Sequence, residues 1–166
     1  MISKSATEFA AQLVRQLASS GFYITTVESC TGGALANAIT NIPGSGDVFK
    51  DGFVTYSNQA KIALGVSENI LLKHTMYSLE TARAMAEAGL ARSTANPHLA
   101  VGITGTLNRV DPENPKASAV GEVFIAILKA GTPTHQQKLA VPAALSRHDA
   151  KQFVVASSLH HLLNVL

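Results

Sequence analysis

The sequence predicts an α/β fold, a three-layer α/β/α sandwich built on a mixed β-sheet. Three observations lead there. Early in the chain, apolar strand-like runs alternate with amphipathic helical segments. Late in the chain, two strand-like runs follow each other across a glycine–proline turn, the pattern of an antiparallel pair added to a parallel sheet. The 166 residues are 46% apolar and 14% charged, which suits one domain around one core, so residues 1–166 are read as a single domain.

Each element has its own signal. Ser5 and Glu8 have the spacing of a capping box, and Phe9, Leu13, Val14 and Leu17 form one stripe, so a helix is predicted to run to Ser20 and end at Gly21. Phe22 to Glu28 is β-branched and aromatic and reads as a strand. Ala34 to Asn41 reads as a helix, broken by Pro43-Gly44-Ser45-Gly46. Phe53 to Tyr56 is a short strand and Asn58 to Leu64 a short helix. Ser78 caps a long helix reaching about Thr94, with Leu79, Ala82, Met85, Ala86 and Leu90 on one face. His98 to Thr104 is a buried strand. Asn108 to Ser118 is a polar, proline-bearing loop long enough to cover a site. Val120 to Leu128 and His135 to Val141 are strands, and Ser146 caps a last helix with Phe153, Val154, Leu159, Leu162 and Leu163 on its apolar stripe.

Composition excludes several functions. Thirteen basic residues against eleven acidic ones make no field that would hold nucleic acid, and no basic run is interleaved with aromatics, so no direct nucleic-acid partner is expected. No stretch nears 18 apolar residues and the opening MISKSATEFAAQ has no apolar leader, so no membrane partner and a cytoplasmic location are expected. The single cysteine, Cys30, permits no internal disulfide and suits a reducing compartment. The six histidines lack metal-ligand spacing, so neither metal nor cofactor is expected.

Three segments offer chemistry. Val27-Glu28-Ser29-Cys30-Thr31-Gly32-Gly33 sits where a strand turns into a helix, and its glycines and free amides suit an anion or a carboxamide, or simply a tight turn. Around Gly52–Lys61, a lysine in an apolar pocket would lose its proton and act as a base, with Tyr56 relaying; a surface lysine beside a half-buried tyrosine is the plain alternative. Ser45, on a glycine-rich turn, is a nucleophile if a base lies near, and otherwise a turn residue.

Together, Glu28-Ser29-Cys30-Thr31-Gly32-Gly33, Pro43-Gly44-Ser45-Gly46 and Gly52 through Val66, with Tyr56-Ser57-Asn58 and Ala60-Lys61, resemble the CinA C-terminal domain family over essentially the whole chain. The resemblance is to PncC-like nicotinamide-nucleotide amidases, which release ammonia from nicotinamide mononucleotide. It implies a serine nucleophile, Lys61 as base, Tyr56 as helper, a pyridine nucleotide as partner and a homodimer. It also implies substrate contacts from Ser29, Thr31, Gly32, Gly33, Thr104, Gly105 and Arg147. The family's nucleophile is taken as the second serine of P-G-S-S, where this chain has Gly46. The family's later glycine-rich stretch is replaced by Gly105-Thr106-Leu107-Asn108-Arg109-Val110-Asp111-Pro112. On that reading the amidase activity is lost or strongly reduced. The alternatives are an active amidase using Ser45 or Ser29 with Lys61 and Tyr56, and a non-enzymatic ligand- or partner-binding protein.

Overall fold

The computed structural model describes residues 5–96, 98–114 and 119–166. Part of the predicted loop, residues 115–118, lies outside the described residues. The elements run α1 (Ala6–Ser20), β1 (Tyr23–Glu28), α2 (Ala34–Thr40), α3 (Ser45–Val48), β2 (Phe49–Val54), α4 (Asn58–Leu64), α5 (Glu68–His74), α6 (Leu79–Arg92), β3 (His98–Gly105), β4 (Glu122–Lys129), β5 (His135–Ala140) and α7 (Arg147–Val165). The strand order is β2-β1-β3-β4-β5. β1 pairs in parallel with β2 and β3, whereas β4 pairs antiparallel with β3 and β5. The sheet is therefore mixed, as the sequence predicts.

Helices cover both faces. Phe9, Leu13 and Leu17 of α1, Leu35 and Ile39 of α2, and Val154, Leu159 and Leu162 of α7 pack on Ile24, Leu99, Ile103, Ile125 and Ile127. On the other face Met85 and Ala88 of α6 join Val27, Leu64 and Leu71. Helix α6 can sit this close to β1 and β3 because a glycine stands at each contact. A β-carbon on Gly102 would strike the Ala82 carbonyl, and one on Gly89 would strike the Val27 side chain.

The caps explain the helix starts. Glu8 and Ser5 form the predicted capping box, and Gly21, at φ 71°, ends α1. Ser57, Ser78 and Ser146 each accept an amide from the first turn of α4, α6 and α7. Beyond shifts of one or two residues at element ends, three features differ from the prediction. β2 begins at Phe49, not Phe53, because an edge strand tolerates Lys50 and Asp51 in an alternating half-buried pattern. The Pro43–Gly46 break holds a single helical turn, α3, and the segment after Val66 holds α5, both too short to show helical periodicity.

This topology places a crevice. The chain leaves β1 through α2 and α3 on one face to reach β2, then returns through α4, α5 and α6 on the other face to β3. The two crossovers part at β1, so the carboxyl ends of β1, β2 and β3 border an opening.

Candidate active site

Residues that follow the three parallel strands meet at that opening. The ladder continues past β1: Ser29 N–H donates to Ile103 O at 2.9 Å, and Thr55 N–H to Glu28 O at 2.8 Å. Ser29 and Thr55 are thus fixed to the sheet by backbone bonds, and their side chains inherit its rigidity. A cavity of about 630 Å³ opens above them. Its wall includes Ser29, Cys30, Tyr56, Met76, Tyr77 and Arg147, with the segment from Gly105 to Pro112. That volume is in the range of small-molecule sites.

Lys61 stands behind Ser29. It is 0% exposed, yet it has no carboxylate partner among the described residues. Its Nζ donates to Thr55 O at 2.7 Å and lies 3.1 Å from Ser29 Oγ. Burial pushes the ammonium down from 10.5 to about 8, because a desolvated charge without a counterion favours its neutral form; the nearby Cys30 opposes this. Neutral Lys61 keeps a lone pair for the Ser29 proton while an N–H still bonds Thr55 O. Serine, amine and carbonyl are held in the geometry of a nucleophile, its base and the group that orients the base.

Cys30, one residue on, is not a competing nucleophile. Burial pushes its thiol up to about 12, so it stays protonated. The carboxylate of Glu28 does not line the cavity. It is buried and accepts Leu35 N–H at 3.0 Å and Ala36 N–H at 2.8 Å. The anion that the start of α2 binds is the protein's own side chain, which ties the turn carrying Ser29 to the helix behind it. This corrects the expectation for Thr31, Gly32 and Gly33. They do not line the cavity; Gly32 and Gly33 supply the positive-φ turn, at φ 61° and 91°, and Thr31 is buried beneath it.

Ser45 and Gly46 are also elsewhere. They precede β2, whose first residue, Phe49, pairs with Ile24. Ser29 lies five residues further along β1, about 16 Å away at the rise of a strand. Ser45 is buried and donates to Thr40 O, and a β-carbon on Gly46 would point into open space. The nucleophile expected at residue 46 therefore has no place at this site: it sits at the wrong end of the parallel strands.

The remaining predicted residues are brought together. Tyr56 is 55% exposed at the rim, and its oxygen accepts from Arg147 Nη2 at 2.8 Å. Gly105 lines the wall. Thr104 acts from behind it, donating to Met76 O at 2.6 Å. Sequence reasoning missed Thr55, which acts through its backbone, and Met76 and Tyr77. The latter two lie in a turn bent at Thr75, whose φ of 62° is unusual for a β-branched residue. That turn is held by Thr81 Oγ1 donating to Thr75 O at 2.6 Å. Tyr77 O–H in turn donates to Asp111 Oδ2 at 2.8 Å. The one sequence signal for this region was Ser78 as a helix cap just downstream.

The chain is similar to known proteins in both sequence and shape. A CinA-like protein of Chloroherpeton thalassium is 54% identical over 90 residues, 54% of this chain and 21% of that protein. A CinA-like protein of Myxococcus xanthus is 37% identical over 136 residues, 80% of this chain and 31% of that protein. The chain thus spans less than a third of the length of the curated relatives it matches. Among solved structures, the competence/damage inducible protein CihA of Agrobacterium tumefaciens superposes with TM-score 0.84 at 30% identity, over 99% of this chain and 97% of that one. A CinA superfamily protein of Escherichia coli superposes with TM-score 0.86 at 27% identity, over 98% and 91%. The family model described as the CinA C-terminal domain matches residues 6–166, and the chain belongs to that family.

Proposed function

We propose that this chain is a serine–lysine amidohydrolase acting on nicotinamide mononucleotide or a close pyridine-nucleotide amide. The observation that carries this reading is the 3.1 Å approach of Lys61 Nζ, buried with no carboxylate partner among the described residues, to Ser29 Oγ at the floor of the cavity. The family resemblance supports the substrate.

Neutral Lys61 takes the Ser29 proton as Oγ bonds to the carboxamide carbon. The tetrahedral adduct then collapses: the C–N bond breaks, Lys61 returns the proton to the nitrogen, and ammonia leaves. The acyl group remains as an ester on Ser29. Water, losing a proton to Lys61, attacks that ester and releases the carboxylate, with the proton passing back to Ser29. Tyr56 accepts from Arg147 through its oxygen, so its own O–H is left to donate to substrate at the rim. No step needs an oxygen at residue 46, so the glycine there does not silence the site.

The test is ammonia release from nicotinamide mononucleotide. The unsubstituted protein is expected to turn over, and Ser29→Ala to lose on the order of 10³-fold or more in kcat. Turnover retained in Ser29→Ala sinks the assignment. No turnover in the unsubstituted protein returns the site to the ligand-binding alternative.

A further inference from the structure

We infer that Arg109 is the residue with which this chain selects phosphorylated amides, by forming a two-guanidinium clamp with Arg147 at the cavity rim. The inference deepens the amidase reading, on which it rests only for the identity of the ligand. Arg109 lies in the stretch that departs from the glycine-rich pattern of the family the chain resembles, and the sequence gives that residue no evident task.

The structure joins the two arginines through a neighbour of each. Asn108 Nδ2 donates to Leu145 O at 2.8 Å. Arg109 follows Asn108 directly, and Arg147 lies two residues beyond Leu145. Both arginines line the cavity and both are exposed. The segment carrying Arg109 is fixed on its other side as well. Asp111 accepts from Tyr77 O–H at 2.8 Å, from Asn114 Nδ2 at 3.0 Å and from Glu113 N–H at 3.0 Å. Thr106 Oγ1 donates to Ala119 O at 2.6 Å. Arg109 is therefore presented from an anchored wall.

The charges around the clamp are unbalanced. Among the described residues, neither Arg109 nor Arg147 forms an ion pair with a carboxylate. Asp111 is engaged as above, Asp149 is held by the Ser146 hydroxyl at 2.6 Å, and Glu28 is buried under α2. Arg147 commits one nitrogen to Tyr56 and keeps the rest of its fork. Two planar forks of donors on the wall of one cavity, neither in an ion pair among the described residues, match the oxygens of a phosphate monoester. An amide without the phosphate offers them no comparable anion. Specificity then follows from the phosphate and not from the amide, which Ser29 and Lys61 address.

Binding is measured by calorimetry in a Ser29→Ala background, which removes turnover, with nicotinamide mononucleotide and, as the control that lacks only the phosphate, nicotinamide riboside. Adding Arg109→Ala is expected to weaken the mononucleotide at least 10-fold and the riboside less than twofold. Adding Arg109→Lys instead is expected to fall between, and rising salt to weaken the parent more than the Arg109→Ala form. Equal mononucleotide affinity with and without Arg109 overturns the clamp, and so does failure of the Ser29→Ala protein to bind the mononucleotide. Ammonia release by the unsubstituted protein is scored separately. Arg109-dependent binding without ammonia keeps the clamp and removes the amidase reading; turnover with Arg109-independent binding does the reverse.

Discussion

Lys61 Nζ and Ser29 Oγ, 32 residues apart in the chain, lie 3.1 Å from each other where β1 and β2 end. The pairing has two physical roots. Parallel strands put their carboxyl ends at one edge, and helix α4, starting just after β2, brings Lys61 back under Thr55. Among the described residues no carboxylate pairs with the ammonium there, so its environment favours the neutral base that acyl transfer requires.

The first prediction follows from that missing counter-charge. Lys61→Met is expected to abolish ammonia release and to leave the fold at least as stable. Lowering the ammonium from 10.5 to about 8 corresponds to a charging cost of roughly 3 kcal/mol, which the methionine avoids. Loss of two hydrogen bonds offsets about half of that. The net gain is about 1–2 kcal/mol in chemical denaturation at pH 7. A loss of several kcal/mol would mean that Lys61 is structural.

The pH dependence has a fixed sign. Catalysis needs neutral Lys61, so kcat/KM rises with pH and levels off above about 8. Stability moves the same way. Between about 8 and 10.5 the unfolded chain holds the Lys61 proton and the folded one does not, so this group's contribution increases with pH across that window. Lys61→Met removes that part of the stability slope. A kcat/KM profile that falls between pH 7 and 9 contradicts the base assignment.

Residues 45 and 46 are expected to be silent in catalysis. Ser45→Ala removes a donor to Thr40 O and costs about 1 kcal/mol in stability, with kcat within twofold of the parent. Gly46→Ser adds a side chain into open space and leaves kcat unchanged. A large gain of turnover in Gly46→Ser would restore residue 46 as the nucleophile position.

Thr75→Gly relaxes the backbone that presents Met76 and Tyr77 to the cavity. Release from φ 62° is worth about 1–2 kcal/mol, against glycine's entropy of roughly 0.5–1 kcal/mol and about 1 kcal/mol for the lost bond from Tyr77 N–H to Thr75 Oγ1. Urea unfolding is expected to change by less than about 1 kcal/mol, and steady-state kinetics to show a higher KM with kcat nearly kept. A substantial stability loss with unchanged KM would assign the turn to folding alone.

Long, strongly patterned elements were legible in the sequence. The capping box of α1, the apolar β3 and the Ser146 cap of α7 each announced themselves through local chemistry. β2 did so only at Phe53 and Val54, because an edge strand needs only one apolar residue in two and its first half carries Lys50 and Asp51. The site was half legible. Lys61 and Tyr56 stand out by the residues around them, and Ser29 by its glycine-rich turn. Which serine meets the lysine is a matter of strand order and direction, which no local pattern encodes. A serine–glycine turn three residues before one strand's start and a serine just past its neighbour's end look equally plausible in sequence, yet the length of the strand separates them. Glu28 was hidden for a similar reason: its carboxylate acts as a helix cap from seven residues away.

The most direct test is to stop the reaction at the ester. Incubating the protein with nicotinamide mononucleotide, quenching in acid and mapping peptides by mass spectrometry is expected to find the pyridine-nucleotide acyl group on Ser29, and none after Ser29→Ala. The same adduct on Ser45, on Cys30 or on any other side chain, with Ser29 unmodified, would contradict the account.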